Sequence, residues 1–211
     1  MHPSATQLGL DLVGVFVFAL SGGLAAVRAR LDLFGVVVVA AVTALGGGVL
    51  RDTLLAMNPP YSLRHWPYLI MPVLAAVVTF IWHPQVARLR KLVLVLDAVG
   101  LGIFTVTATQ KSLDAGLGWA AACVVGVITG VGGGVLRDVL LRQIPVVLQR
   151  EIYAVAALIG AGLVCLGRAV HLLHAPWLIG TAVAVFGVRL VALVRHWSAP
   201  TAPNLSDQAG S

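Results

Sequence analysis

Gly46-Gly47-Gly48-Val49-Leu50-Arg51-Asp52 lies inside a long apolar stretch and returns letter for letter at residues 132–138, an offset of 86. Three consecutive glycines are unfavourable inside a helix, since each costs about 1 kcal/mol relative to alanine. An arginine in the middle of a membrane-spanning helix costs roughly 2.5–3.5 kcal/mol on insertion scales. A chain that carries both unfavourable features twice indicates a duplicated element that serves a function.

The composition is that of a membrane protein. Of the 211 residues, 59% are hydrophobic and only 10% are charged, and the mean hydropathy is +0.98, whereas soluble domains carry about 25% charged residues. The basic residues behind the net charge of +6 lie in short loops, which is typical of topology signals and of contact with membrane lipids rather than nucleic acid. The cysteines Cys123 and Cys165 are expected to be small buried residues without a disulfide or redox role.

Seven apolar stretches are long enough to cross about 30 Å of hydrocarbon as helices. No Lys or Arg precedes the first stretch, so we expect a retained helix and not a cleaved signal peptide. Residues 1–197 are expected to form a single membrane domain, and the Pro-, Ser- and Ala-rich residues 198–211 a disordered tail. The stretches cover residues 8–27, 33–57, 67–83, 92–110, 117–141, 152–168 and 176–196.

The distribution of Lys and Arg predicts the orientation. Nine basic residues fall on one side of the predicted helices and three on the other, while Arg51 and Arg137 lie within helices. Because cytoplasmic loops carry the excess of positive charge, we expect a multi-pass protein of the cell (inner) membrane with its N-terminus outside and its C-terminus in the cytoplasm. The nine are Arg28, Arg30, Arg88, Arg90, Lys91, Arg142, Arg150, Arg189 and Arg195, and the three are Arg64, Lys111 and Arg168.

The duplication extends beyond the glycines. The pattern Asp11-x-x-Gly14-x-x-x-Phe18 reappears as Asp97-x-x-Gly100-x-x-x-Phe104, again at an offset of 86. The first repeat therefore covers residues 8–83 and the second residues 92–168, followed by a seventh helix at 176–196. Because each repeat holds three helices, an odd number, the second repeat enters the membrane from the opposite side. The predicted fold class is an all-α membrane protein with seven transmembrane helices, arranged as two inverted three-helix repeats plus a seventh helix.

The glycines near mid-depth have two interpretations. Without Cβ atoms, a helix can break there and present backbone groups to a water-filled path, which makes a pore or hinge. Alternatively, the glycines let two helices pack closely, as in Gly126-x-x-x-Gly130-x-x-x-Gly134. Four-residue steps put a threonine, a glycine and the arginine on one face, a polar stripe that should face inward. The candidate pore and kink residues are Gly46, Gly47, Gly48, Gly132, Gly133, Gly134, Thr43 and Thr129.

The acidic residues predict ion pairs. Adjacent residues on a helix do not face each other, so Arg51 is not expected to pair with Asp52. Depth in the membrane instead predicts the pairs Arg51–Asp11 and Arg137–Asp97. Asp52 and Asp138 would then be available to attract cations into a narrow path. Alternatively, they stabilise the start of a second half-helix.

Lys111 ends the fourth predicted helix and has no counterpart in the first repeat, where Ala25 takes its place. One interpretation is that its ammonium group extends to the lipid headgroups. Another is a gating charge that moves with voltage or closes the outer mouth by pairing with Asp52.

The chain contains none of the common catalytic or phosphate-binding motifs, and only eight acidic residues. We therefore expect no enzyme and no cofactor. His171 and His174 are expected to be interfacial residues and not metal ligands.

The doubled Gly-Gly-Gly-x-x-Arg-Asp motif and the seven helices resemble the prokaryotic branch of the trimeric intracellular cation (TRIC) channel family, over residues 8–196. The resemblance implies a homotrimer in which each subunit has its own pore, bounded by second and fifth helices kinked at the two glycine triplets. It implies conduction of monovalent cations, with a modest preference for potassium over sodium. Lys111 matches the family's basic position at the end of the fourth helix, which is linked to voltage-dependent gating. The Lys-Glu-Val motif with which animal members bind phosphoinositide lipid does not occur in this sequence.

Two functions are compatible with these features. A cation channel is favoured because no large aromatic residue flanks the glycines along the chain. The alternative is a secondary transporter of glycine or another small amino acid, since some bacterial relatives are described in this way and inverted repeats serve either mechanism. A purely structural membrane protein gives no reason for buried Arg and Asp. Permeant potassium or sodium ions and membrane lipids are the expected partners.

Overall fold

The structure is a computed structural model, and it describes residues 5–82, 86–149 and 152–195. Over these ranges the regular secondary structure is helical, as predicted. The predicted tail at 198–211 lies outside them. The helices are α1 (Ala5–Arg28), α2 (Leu33–Leu54), α3 (Tyr61–Arg64), α4 (Trp66–Ile81), α5 (Val86–Asp114), α6 (Trp119–Leu140), α7 (Val146–Gln149), α8 (Ile152–Ala169) and α9 (Ala175–Val194).

Six of the predicted apolar stretches correspond to helices of membrane-spanning length, and the remaining one corresponds to the shorter helix α4. In the described part of the chain, α1, α2, α5, α6, α8 and α9 are long and apolar enough to cross a membrane. Helix α4 has 16 residues, which corresponds to about 24 Å along its axis. Helix α4 is therefore shorter than the roughly 30 Å of hydrocarbon that a transmembrane helix crosses. The single-turn helices α3 and α7 were not predicted, because four residues are too few to show a helical period.

The duplication seen in the sequence is also a duplication of local structure. Helices α2 and α6 begin and end at positions that are 86 residues apart. Each is followed by a residue in the left-handed region, Ala56 with φ 56° and Arg142 with φ 55°. The turn is closed by Met57 N–H donating to Asp52 O and by Gln143 N–H donating to Asp138 O, both at 2.8 Å. The same residue types at the same offset thus end both helices in the same way.

Helices α1, α2, α5 and α6 form the centre of the molecule. Helix α1 packs against α2, α4 and α5; α5 packs against α6, α8 and α9; and α2 packs against α6. The equivalent residues Phe18 and Phe104 meet between α1 and α5, with their ring centroids 5.1 Å apart. Both phenylalanines are buried. The contact joins corresponding positions of the two repeats.

The glycine triplets lie at the crossing of α2 and α6, and both helices continue through them without interruption. A break into half-helices, one of the two interpretations of the glycines, is therefore not seen in α2 or α6. A Cβ atom at Gly47 would collide with the carbonyl oxygen of Thr129, and one at Gly133 with the carbonyl oxygen of Thr43. Only glycine permits this backbone contact, which supports the close-packing interpretation.

Candidate functional site

Two clusters of charged side chains lie at the carboxyl-terminal ends of α2 and α6. A buried charge costs several kcal/mol unless it is paired, so each of these groups needs a partner. The arginines and aspartates of both clusters are buried, and the Lys111 side chain is 13% exposed. The first cluster consists of Asp11, Arg51, Asp52 and Lys111, and the second cluster of Asp97, Arg137 and Asp138.

The second cluster is built around Arg137, which is 2% exposed. Its Nη1 atom lies 2.7 Å from Asp97 Oδ1 and donates to Ser21 Oγ at 2.8 Å. The predicted pairing of Arg137 with Asp97 is therefore present. Its Nε and Nη2 atoms both lie 2.8 Å from Asp138 Oδ1. One guanidinium group thus joins α1, α5 and α6.

In the first cluster, Arg51 pairs with its neighbour Asp52. Arg51 Nε lies 2.8 Å and Nη2 lies 2.7 Å from Asp52 Oδ1. The predicted pairing of Arg51 with Asp11 is wrong, as is the expectation that adjacent residues do not pair. The arginine stem is long enough to turn its guanidinium group back onto the next residue, and burial makes that pairing favourable.

Asp11 is instead the partner of Lys111, whose Nζ atom donates to Asp11 Oδ2. The ammonium group also lies 5.5 Å from the centre of the Tyr61 ring. Lys111 therefore does not extend to the lipid headgroups, and its partner is not Asp52. The two repeats differ here because Ala25 at the equivalent position offers no cation, so Asp97 binds Arg137 directly.

The prediction that Asp52 and Asp138 are available to attract cations is wrong, because both carboxylates are already bonded within the protein. In each aspartate, Oδ1 binds the arginine and Oδ2 accepts a backbone N–H. Asp52 Oδ2 accepts the N–H of Tyr61 at 2.8 Å, and Asp138 Oδ2 accepts the N–H of Val146 at 3.0 Å. These are the first residues of α3 and α7, whose N–H groups have no partner within the helix. Each aspartate therefore ties the end of a long helix to the start of the next short one.

The threonines of the predicted polar stripe are buried, but their hydroxyl groups bond to their own helices. Thr43 Oγ1 donates to Val39 O and Thr129 Oγ1 donates to Val125 O, both at 2.6 Å. Bonds of this kind bend a helix slightly. The hydroxyl protons are therefore not offered to a path between α2 and α6.

Arg189 is a buried charge that the sequence reasoning placed at a helix end. It lies within α9 and is 1% exposed. Its guanidinium carbon is 4.8 Å from the centre of the Tyr153 ring, and Tyr153 Oη and Asp97 Oδ1 are both close to Gly134. Arg189 therefore lies next to Tyr153, which borders the second cluster. Its place inside an apolar stretch, five residues before the end of α9, was a signal that could have identified it.

A cavity of about 380 Å³ opens beside the second cluster. The residues that line it include the buried Arg137 and Asp138 and the exposed Arg28 and Arg90. One space that borders Asp11 and Arg51 in the first cluster measures about 10 Å³, which is about the volume that one water needs.

The centre between the clusters is packed with aromatic and glycine residues. A Cβ atom at Gly133 would lie 3.1 Å from the ring of Phe18, and one at Gly14 would lie 3.4 Å from the ring of Phe104. No aromatic residue flanks the triplets along the chain, but the fold brings an aromatic ring beside the second triplet. Phe18 is distant from the second triplet along the chain but lies against Gly133 through the packing of the helices.

The family model described as glycine transporter matches residues 8–84 and again residues 94–169. The two matched segments are the two repeats. The inner membrane protein YadS of Escherichia coli K12, a UPF0126 protein, is 41% identical over 197 residues, which cover 91% of this chain and 94% of YadS.

Solved structures of bacterial channels share the fold. The TRIC trimeric intracellular cation channel orthologue from Rhodobacter sphaeroides is 36% identical, with a TM-score of 0.85 over 90% of this chain and 98% of that chain. A prokaryotic TRIC channel crystallised in KCl is 31% identical, with a TM-score of 0.86 over 92% of this chain and 98% of that chain. By sequence and by fold, the chain therefore belongs to the family that the glycine transporter model describes, within the prokaryotic branch of the TRIC channels.

Proposed function

We propose that this protein is a potassium-permeable channel for monovalent cations, and that it works as a homotrimer with one path in each subunit. The observation that carries the proposal is the pair of buried charged clusters at the ends of α2 and α6. Charged groups inside a membrane are costly and mark ion or substrate pathways. The similarity to structures of bacterial TRIC channels supports the same function.

The path would run from one cluster to the other, past the α2–α6 crossing. Reciprocal contacts support an inverted arrangement of the two repeats: Gly47 faces Thr129, and Gly133 faces Thr43. Two elements related by a two-fold axis contact each other in this reciprocal way. The axis would lie in the membrane plane, so that the first cluster belongs to the outer half and the second cluster to the inner half.

The structure corresponds to a closed state in this proposal. The cavity of about 380 Å³ would be the inner entrance, and the Phe18–Phe104 pair with the glycine crossing would be the barrier. Opening would require α1 and α5 to move relative to α2 and α6. The kinks in α2 and α6 that a pore was expected to need would form in the open state, where the glycines permit them.

Single-channel recording from the purified protein in planar bilayers tests the channel. Unitary current steps carried by potassium are expected. In the variants Asp52→Asn and Asp138→Asn, the side chain keeps an oxygen for the backbone N–H but loses its charge, and we expect a weaker preference for cations over anions. Unchanged conductance and ion preference in both variants would remove the two aspartates from the permeation path.

A carrier of glycine or another small amino acid is the second candidate. It is favoured by the family model's description, and the cavity beside the second cluster is lined by Arg137 and Asp138. Released from their present partners, these groups would complement the carboxylate and ammonium groups of an amino acid. Saturable uptake of labelled glycine into proteoliposomes without unitary current steps would establish the carrier and exclude the channel.

Lys111 is proposed as the gating charge of the channel. Its ammonium group is held by Asp11 in the closed state, and one elementary charge moving through the full membrane potential gains about 2.3 kcal/mol per 100 mV. Replacement by Met should make the open probability less dependent on voltage, as measured in the same bilayer recordings. An unaltered voltage dependence would exclude this role.

A further inference from the structure

The two cysteines of the chain meet between α6 and α8. Cys123 Sγ lies 3.5 Å from Cys165 Sγ, although 42 residues separate them in sequence. Both thiols are free. The contact brings together two cysteines for which neither a disulfide nor a redox role was expected.

The pair is also close to one end of the helices that carry it. Cys123 is four residues from the start of α6 and Cys165 is four residues from the end of α8, which places both about 6 Å from a helix end. Cys165 is buried and Cys123 is half-buried. In the orientation expected from the Lys and Arg count, this end faces outside, where disulfides persist.

We propose that Cys123 and Cys165 are a redox site at which an intramolecular disulfide joins α6 to α8. The electron acceptor is another disulfide, either a small molecule or a thiol-oxidising protein. The Cys123 thiolate attacks that disulfide, a mixed disulfide forms, and the first leaving thiolate departs. Cys165 Sγ then attacks the Cys123 sulfur, which forms the Cys123–Cys165 bond and expels the second thiolate. The two cysteine protons end on the two released thiols, so two electrons pass to the acceptor.

The order of attack follows from exposure. Cys123 is the accessible thiol and makes the first contact with the oxidant, whereas Cys165 is enclosed and close enough to resolve the mixed disulfide. The bond would hold α6, which carries the second glycine triplet and Arg137, at a fixed distance from α8. The proposed redox site does not depend on whether the protein is a channel or a carrier.

Thiol counting on the full-length purified protein tests the site, with oxidised glutathione as the acceptor. After reduction, denaturation and treatment with a polymer-linked maleimide, each chain should carry two adducts. After oxidised glutathione, it should carry none, and mass spectrometry should find peptides containing Cys123 and Cys165 joined with the loss of two hydrogens. The single variants Cys123→Ser and Cys165→Ser are the matched controls, and neither can form the bond.

Three results would overturn the proposal: two adducts remaining after oxidation, a glutathione adduct that persists on Cys123, or chains joined to one another on a non-reducing gel. A second measurement does not depend on the variants. The melting temperature of the parent protein should be higher after oxidised glutathione than after dithiothreitol, because a cross-link over this separation restricts the unfolded chain. Equal melting temperatures would also contradict the bond.

Discussion

The Lys111–Asp11 and Arg168–Asp114 pairs join the same kinds of group in different surroundings. The side chains of the first pair are 13% and 3% exposed, and those of the second are 46% and 31% exposed. Exposed ion pairs contribute about 0–1 kcal/mol, whereas removing one partner of a buried pair costs about 3–5 kcal/mol, because the other charge is left without compensation. Burial therefore decides what each residue contributes to stability.

Replacement of Lys111 by Met should lower the free energy of unfolding by about 3–5 kcal/mol, measured by titration with a denaturing detergent. Arg168→Met is the matched control and should lower it by at most about 1 kcal/mol. The double variant Lys111→Met with Asp11→Asn should recover part of the loss, since the buried charge is then gone. Equal losses in the two single variants would contradict the buried pair.

The equivalent glycines Gly48 and Gly134 differ in what surrounds them. A Cβ atom at Gly134 would lie 3.0 Å from Asp97 Oδ1 and 3.2 Å from Tyr153 Oη, whereas one at Gly48 would have Arg51 Nη2 at 4.0 Å as its neighbour. Gly48→Ala should therefore stabilise the protein by up to about 1 kcal/mol through helix propensity. Gly134→Ala should destabilise it by disturbing the second cluster. The same denaturation titration measures both variants. Higher stability in both would show that the second cluster can rearrange to accommodate a methyl group.

At the scale of the helix, the crossing of α2 and α6 depends on two glycines that face backbone atoms. A neighbouring side chain can change its rotamer to accommodate a methyl group, but a carbonyl oxygen within a helix moves only if the helix moves. The contacts of Gly47 and Gly133 are therefore less tolerant than the side-chain contact of Gly46 with Leu136. This distinction follows from the packing and not from the glycine content of the triplets.

Gly47→Ala and Gly133→Ala should each push α2 and α6 apart and destabilise the protein by about 3 kcal/mol, near the upper end of the usual cost of overpacking. Gly180→Ala in α9 is the control, because nothing lies within 4 Å of its Cβ position. Thermal denaturation followed by tryptophan fluorescence would compare the three. A melting temperature for Gly47→Ala equal to that of Gly180→Ala would refute the close crossing.

Helix α9 lies outside the duplication and places a second cation, Arg189, near the second cluster. Without α9 the second cluster holds two carboxylates and one guanidinium group, whereas the first cluster holds two of each sign. Arg189, stacked on Tyr153, adds positive charge on the side where the repeat itself lacks it. The extra lysine of the first cluster and the extra arginine of α9 thus compensate for the same carboxylate surplus in different ways.

At the scale of the whole molecule, the charge of the loops and the duplicated fold predict how the protein sits in the membrane. A green fluorescent protein fused to the C-terminus should fluoresce, and alkaline phosphatase fused there should be inactive, because the C-terminus is expected in the cytoplasm. Active phosphatase would reverse the assignment of the two clusters to outer and inner halves.

The purified protein should also have the mass of three chains, measured by light scattering with the detergent contribution subtracted.

The sequence by itself determined the membrane character, the positions of the long helices and the duplication, because these depend on local hydropathy and on repeated residue patterns. It also predicted the Arg137–Asp97 pair, since depth in the membrane selects among few acidic partners. It identified the glycines as unusual, and it left open whether they break the helix or allow close packing.

Only the tertiary structure decided how the charges are shared and how the centre is closed. Lys111 on α5 is close enough to pair with Asp11 on α1, and Arg51 pairs with the adjacent Asp52. Depth is a single coordinate, whereas a pairing depends on distances in three dimensions between each carboxylate and all the cations around it. The phenylalanines against the glycines and the contact of Cys123 with Cys165 have the same origin, because helices that are distant in sequence bring these side chains together.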